Sequence, residues 1–304
     1  MEIVKSRIRP ELLTALNVLD KRMALPVKEK PHIINMEKGY KGEELFDSLI
    51  KEYVRADVLF LNDLLLTISE QTVQIDSLIL TADTVFLYEI KNYKDDYQMK
   101  SGQLLTLTGQ EIGDPLTQLK RTTSLLRQLF QQWSINIIVE AAVVYVNSTF
   151  TLYHACPEDR IILPNQIPGH FTKINRQRLT LTKKRRYLAE RLLSEHKLVV
   201  PYQKQLPDYD YQILKKGITC SNCGSFDIQF TQRTCYCEDC NNRNSKKETI
   251  VSNVEEFRLL FPSLKITRNI IHDWCGEGVS KDRVSRILFK HYHKTGQTLG
   301  TFYE

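Results

Sequence analysis

Short apolar runs dominate the hydropathy pattern between residues 58 and 92. Segments 58–68, 72–81 and 84–92 are rich in Leu, Ile and Val and are separated by turn residues, so each reads as a buried β-strand. A helical period precedes them, with Phe46, Leu49, Ile50 and Tyr53 forming one stripe of a helix over 41–54. A weaker extended pair follows near 97–99 and 104–107. Asp114 as cap and Pro115 at the first helical position then open a helix over 115–132. The apolar, β-branched run 135–146 reads as one more buried strand. From residue 39 to about 147 the order is therefore helix, three strands, helix, strand.

The flanks are less regular. Leu12, Leu13, Leu16 and Leu19 predict a short amphipathic helix over 8–24, and a connector rich in Pro and Lys follows at 26–31. Residues 148–178 contain Pro157, Pro164 and Pro168 and read as irregular apart from a strand at 160–163. A basic helix over 180–197 and a linker over 201–210 come next. The chain carries no internal repeat and no low-complexity tract, and its 304 residues suit two or three domains.

Composition narrows the class only a little. Apolar content of 42% and charged content of 26% are those of an ordinary globular protein. No stretch approaches the roughly 20 apolar residues of a membrane span, and the first residues lack a signal-peptide core, so the cytoplasm is the expected compartment and no membrane the expected partner. The net charge of +6 is unevenly spread. Between residues 173 and 204 ten Lys and Arg face two acids, Glu190 and Glu195, and the run Lys183, Lys184, Arg185, Arg186 lies there. Such a stretch fits a polyanion partner, or else a solvated helix face.

The candidate chemistry sits inside the strands. Asp76 precedes Leu78-Ile79-Leu80, and Glu89 and Lys91 follow Val85-Phe86-Leu87-Tyr88. A buried carboxylate costs several kcal/mol unless a charge or a metal compensates it. Glu89 and Lys91, two apart, share a strand face, and counting outward from the Ala82-Asp83 turn puts Asp76 opposite Glu89. On the preceding helix, at roughly 100° per residue, Glu43 borders the apolar stripe while Glu44 faces water. Gly39 and Gly42 allow close approach of neighbouring backbone. Carboxylates so placed suit Mg²⁺ or Mn²⁺, which would lower the pKa of a bound water, and a lysine beside them would orient that water or offset charge on a phosphate. Phosphodiester hydrolysis is the chemistry this predicts. The plainer reading is a buried structural ion pair.

These residues also carry a resemblance. Gly39-x-x-Gly42-Glu43, Leu61-Asn62-Asp63, Gln74-Ile75-Asp76, Glu89-Ile90-Lys91-Asn92-Tyr93 and Pro115-Leu116-x-Gln118-Leu119 together resemble the NERD (nuclease-related) domain over about residues 38–148. That family belongs to the PD-(D/E)XK nuclease superfamily, whose core is αβββαβ. The resemblance implies Glu43, Asp76 and Glu89 as metal-site acids, with Asp76 and Glu89 as Mg²⁺ or Mn²⁺ ligands, Lys91 as catalytic lysine and Gln118 as a further polar contributor. Ile75 stands where the superfamily's name has proline.

Five of the seven cysteines fall between Cys220 and Cys240. Cys220-x-x-Cys223 and Cys237-x-x-Cys240 are two knuckles of the kind that supply adjacent corners of a tetrahedral site, so they predict a zinc ribbon with structural Zn²⁺ and strands at 227–231 and 232–236. Cys235 is spare. Beyond the ribbon, helices at 266–275 and 280–294 flank Gly276-Glu277-Gly278 and resemble a helix-turn-helix unit. The second has Val284, Ile287, Leu288 and Tyr292 as its apolar stripe, with Lys281, Arg283, Arg286, Lys290 and Lys294 on its other faces. His291 and His293 read as surface groups, and the tail over 296–303 reads as a small wing.

The expected class is α/β. A helical extension (1–37) leads into a PD-(D/E)XK-like core (38–148). An irregular and basic helical extension with a linker (149–210), the zinc ribbon (211–250) and the helix-turn-helix-like unit (251–304) follow. The expected function is metal-dependent hydrolysis of DNA, with the zinc ribbon and helical unit holding the substrate. The alternative is a non-catalytic DNA-binding or regulatory protein with a degenerate nuclease fold. A zinc hydrolase is disfavoured, because no His/Asp/Glu set with ligand spacing accompanies an open zinc site.

Overall fold

In the computed structural model, residues 1–176, 180–197, 202–297 and 300–304 are described. The chain divides into two compact units, one formed by Met1–Ile8 with Asn35–Val200, the other by Arg9–Ile34 with Pro201–Glu304. It begins with strand β1 (Glu2–Lys5), helix α1 (Glu11–Arg22) and helix α2 (Glu29–Tyr53). The connector expected at 26–31 is thus partly helical. Pro31 falls in the first turn of α2, where a missing N–H costs nothing.

Strands β2 (Leu59–Ile68), β3 (Gln71–Leu80) and β4 (Thr84–Lys91) follow, then β5 (Asp95–Lys100), β6 (Gln103–Thr106) and β7 (Glu111–Ile112). Helix α3 (Pro115–Gln132) leads to β8 (Ile138–Tyr145), β9 (Phe150–Tyr153) and β10 (Ile161–Ile162). The main sheet is mixed, in the order β1-β2-β3-β4-β8-β10. β2, β3 and β4 are antiparallel neighbours, while β4 and β8 run parallel across the α3 crossover. Asp114 caps α3 as expected, accepting from the amides of Leu116 at 2.9 Å and Thr117 at 3.1 Å. A second, four-stranded sheet in the order β7-β6-β5-β9 carries Tyr97 and Phe150, which pack on Tyr93 and Tyr145.

Residues 177 and 178 lie outside the described residues, and residues 148–176 are more ordered than their prolines suggest. Besides β9 and β10 they hold helix α4 (Ile167–Asn175), and Pro168 lies at its first turn. Helix α5 (Lys183–Ser194) is shorter than the expected 180–197. Phe46 and Ile50 of α2 with Phe171 and Ile174 of α4 cover one face of the sheet. Leu119, Leu126 and Leu129 of α3 with Leu188 and Leu192 of α5 cover the other. No helix among the described residues is long and apolar enough to cross a membrane.

The second unit holds α1, a small sheet and three further helices. The sheet is β11 (Ile228–Phe230), β12 (Thr234–Cys237) and β13 (Arg243–Ser245), all antiparallel. The second ribbon strand thus starts two residues later than expected, because Thr231 to Thr234 form a turn closed by the Thr231 hydroxyl. Helices α6 (Lys246–Leu260), α7 (Arg268–Cys275) and α8 (Lys281–His291) pack around Trp274 and Phe257, both fully buried. The Arg22 guanidinium of α1 stacks on Trp274 at 3.8 Å and pairs with Glu256 at 2.8 Å. The expected linker at 201–210 lies partly outside the described residues; its end is anchored, the Tyr209 hydroxyl donating to the Leu260 carbonyl. α8 ends at His291 because Tyr292 is extended, and Lys294–Thr295 then pairs as β14 with β15 (Phe302–Tyr303).

Candidate functional site

The β3–β4 ladder runs through Leu80↔Val85, Ile79↔Phe86, Leu78↔Leu87 and Ser77↔Tyr88, the register counted outward from the turn. It stops there. One step on, the Asp76 carboxylate accepts the Ile90 amide at 2.9 Å, replacing a strand-to-strand bond with a side-chain one. Regular alternation fails at the same place in the neighbouring strand. Leu59 and Leu61, then Leu64 and Leu66, belong to one core, as do Val73 and Ile75, then Leu78 and Leu80. The phase changes at Asp63, whose φ of 50° is left-handed. A strict two-residue period does not survive this irregularity.

Two buried carboxylates and a lysine meet at the break. Asp76 is 8% exposed and Glu89 2% exposed. Lys91 Nζ donates to Glu89 Oε1 at 2.7 Å and to Gln118 Oε1, on α3, at 3.4 Å. Burial, then the nearby Asp76, pushes Glu89 up to about 7. Asp76 is raised too, by burial, against the opposing pull of the Ile90 amide and Lys91. Burial works against the Lys91 ammonium, but Glu89 and Asp76 outweigh it and hold its pKa above the ordinary lysine value.

Glu43 reaches the same end of the sheet from α2. It is half-buried while Glu44 is exposed, as the helical period requires. Burial and Asp76 push Glu43 up to about 8, with Arg7 opposing. Gly42 explains how α2 comes so close: a Cβ there would lie 2.4 Å from Asn92 Cβ, and the Asn92 amide donates to the Lys38 carbonyl at 2.7 Å. Gly39 differs from expectation, since a Cβ there meets nothing within 4 Å.

Sequence reasoning missed two members of this cluster and assigned a third no role. Arg7 donates to Glu43 at 2.6 Å and to Asp63 at 2.8 Å, and Asp47 accepts from Arg7 at 3.1 Å and from Asn62 at 3.0 Å. Asp63 belongs to the Leu61-Asn62-Asp63 motif, whose pattern gives it no function of its own. Asp47, four residues after Glu43, was legible from helical spacing; nothing near Arg7 in sequence marks it.

The basic run behaves otherwise. Lys183 and Lys184 are exposed, but Arg185 donates to the Ala82 carbonyl at 2.8 Å and Arg186 pairs with Glu2. Ala82 is six residues along the chain from Asp76, on the order of 20 Å at about 3.3 Å per residue. The structure therefore does not bring this run to the acids.

Within the second unit the sulfurs of Cys220, Cys223, Cys237 and Cys240 all lie within 4.8 Å of one another. Cys220 Sγ is 3.7 Å from Cys240 Sγ, and Cys223 Sγ is 3.5 Å from Cys237 Sγ. Zn–S bonds of about 2.3 Å at tetrahedral angles separate sulfurs by about 3.8 Å, so the four fit one Zn²⁺. Cys235 is buried outside the cluster, beside Thr249. On α8, Val284, Ile287 and Leu288 are buried and Lys281, Arg286 and Lys290 exposed, with Arg283 half-buried.

Residues 38–146 match the family model of the nuclease-related domain, NERD. This stretch is a NERD domain. It contains Glu43, Asp76, Glu89, Lys91 and Gln118, and it ends one residue after β8. No curated protein and no solved structure matches the chain in the same comparisons. A NERD domain suggests nuclease activity, and with it a nucleic acid as substrate. The cysteine cluster is zinc-ribbon-like and lies outside the NERD residues.

Proposed function

We propose that the NERD domain hydrolyses phosphodiester bonds of DNA with a divalent ion, Mg²⁺ or Mn²⁺, and that the second unit binds the DNA. The observation that carries this reading is the meeting of Asp76, Glu89 and Lys91 at the one place where the β3–β4 ladder breaks. Two carboxylates raised by burial, Glu89 further by the charge of Asp76, are a donor set that a divalent ion would stabilise. Asp76 and Glu89 would hold it, with Glu43 nearby. Such an ion supplies Lewis acidity to the phosphate and acidifies a bound water. Lys91, kept protonated by Glu89 and Asp76, serves to donate to a phosphate oxygen or to hold the attacking water. Gln118 steadies the Lys91 ammonium from α3. PD-(D/E)XK-like architecture is supported by the αβββαβ order and the helices on both faces of the sheet.

DNA contact through α8 is supported by its exposed Lys281, Arg286 and Lys290 with half-buried Arg283, and by the turn at Gly276, whose φ is 69°. The Lys183–Arg186 run contributes at most through Lys183 and Lys184, since both arginines are engaged. A second reading, a non-catalytic DNA-binding protein, is favoured by one observation: the 2.7 Å Lys91–Glu89 pair closes on itself as a structural ion pair would.

The test is cleavage of supercoiled, linear and single-stranded DNA in Mg²⁺, Mn²⁺ or EDTA, beside Lys91→Ala. Metal-dependent cutting that falls at least about 100-fold in Lys91→Ala supports the hydrolase. Intact DNA in every lane, with binding retained, supports the second reading.

A further inference from the structure

Arg7 stands in Ser6-Arg7-Ile8-Arg9, ahead of the first helix and outside the residues that match the NERD model. Nothing in its local sequence distinguishes it. Parallel pairing of β1 with β2, Glu2↔Leu59 and Lys5↔Leu61, carries the chain toward Asp63, where β2 loses its alternation. The Arg7 side chain is 3% exposed there.

All five of its N–H groups are used. Nη1 donates to Glu43 Oε2 at 2.6 Å and to Asp63 Oδ1 at 2.8 Å. Nε and Nη2 grip the two Asp47 oxygens at 3.1 and 3.2 Å. Nη2 also donates to the Asp76 carbonyl at 3.1 Å, a group on β3 beside the end of the β3–β4 ladder. One planar cation thus ties α2, β2 and β3 together at the edge of the acid site.

The spacing of these acids matches a guanidinium better than an ion. Oxygens around Mg²⁺ sit about 2.1 Å from it and therefore within about 4.2 Å of one another. Among the described residues, the Cys220–Cys240 set is the one group of three or more potential ligands that closes within 4.8 Å. Glu43, Asp47 and Asp63 instead spread around the fork of a side chain that stays charged at any ordinary pH.

We propose that Arg7 is a resident cation of the acid site. It holds Glu43, Asp47 and Asp63 apart at guanidinium spacing, whereas without it their charge would draw them together around a second divalent ion, and it leaves the Asp76–Glu89 side for a single ion. The inference deepens the hydrolase reading and rests on it for that single ion. Arg7 is a positioning residue, acting through Glu43 and Asp63.

The test is the number of Mn²⁺ ions bound by the zinc-loaded full chain, counted by electron paramagnetic resonance of free Mn²⁺. The chains compared are wild type, Arg7→Met, Arg7→Lys and Asp76→Asn, each with a thermal melt with and without Mn²⁺. Wild type is expected to bind one ion, lost in Asp76→Asn. Arg7→Met is expected to bind one ion more than wild type and to gain more in Tm from Mn²⁺. Arg7→Lys, which keeps the charge, is expected to match wild type. Should Arg7→Met be unfolded without metal, refolding in Mn²⁺ supports the proposal, and failure to refold overturns it. Two ions in wild type, or an unchanged count and an unchanged Tm response in folded Arg7→Met, also overturn it. If wild type binds none and Arg7→Met binds one, the resident cation stands and the hydrolase reading fails.

Discussion

Asp76 Oδ2 lies 2.9 Å from the Ile90 amide, one step beyond Ser77↔Tyr88, the last rung of the β3–β4 ladder. The carboxylate therefore completes the sheet as well as lining the acid site. Substitution at this position separates the two roles. Asp76→Ala leaves the buried Ile90 N–H unpaired and is expected to cost about 1–3 kcal/mol in urea unfolding. Asp76→Asn keeps an acceptor and is expected to stay within about 1 kcal/mol of wild type. Both are expected to lose DNA cleavage, and an Asn variant that cuts at the wild-type rate removes Asp76 from the chemistry.

Glu43 near 8 and Glu89 near 7 sit well above the ordinary 4.5. Both hold protons more tightly folded than unfolded. Their contribution to stability is full below about 4.5 and is lost as pH rises through 7 to 8, on the order of a few kcal/mol without metal. Carbon-13 NMR of labelled glutamate should show two carboxyls titrating between about 6.5 and 8.5, moving down on adding Mg²⁺. Glutamates that all titrate near the ordinary value would remove the electrostatic basis of the site.

Gly42→Ala and Gly39→Ala form a matched pair on α2. Alanine in a helix interior ordinarily gains about 1 kcal/mol over glycine. Gly39→Ala, with open space around it, is expected to raise Tm by a few degrees. Gly42→Ala drives a Cβ to 2.4 Å from Asn92 Cβ and is expected to lower Tm and reduce cleavage by shifting Glu43. Equal Tm changes in the two variants would show that α2 yields freely at this contact.

Metal analysis should find one zinc per chain. Cys220→Ser, Cys223→Ser, Cys237→Ser and Cys240→Ser are each expected to lose it, with a change in fluorescence of the buried Trp274 in the same unit. Cys235→Ser is expected to retain it, since its sulfur lies outside the cluster. Zinc loss in Cys235→Ser would make that thiol a ligand.

Arg286→Ala and Lys290→Ala should each weaken DNA binding and lower the salt slope by about 1 if they meet phosphates. Paired Arg185→Ala and Arg186→Ala changes should act on stability more than on binding, because one arginine holds the Ala82 carbonyl and the other pairs with Glu2. Fluorescence anisotropy at several salt concentrations measures the first effect and thermal melts the second.

Much of this protein was legible from local pattern. The period of 46, 49, 50 and 53 separates half-buried Glu43 from exposed Glu44. The two-residue Ala82-Asp83 turn sets the β3–β4 register. Asp114 caps α3 and Ser280 caps α8, each through a backbone amide of the first turn. Where prolines were read as breakers, the reading failed: Pro31 and Pro168 lie in first turns of helices, where no amide is needed.

Sequence alone determined which side chains are present and which share a strand or helix face, because those follow from periods of 2 and 3.6 along a continuous chain. Tertiary structure decided which of them meet. Arg7 reaches Asp63 only because β1 docks parallel on β2, and Arg185 is held at the turn end of β3 because its partner is the Ala82 carbonyl. The β2–β3 register likewise skips Asp63, which lies opposite Asp76 on the strand next door. Contacts between residues dozens of positions apart are set by how sheets and helices stack, and no local period carries that information.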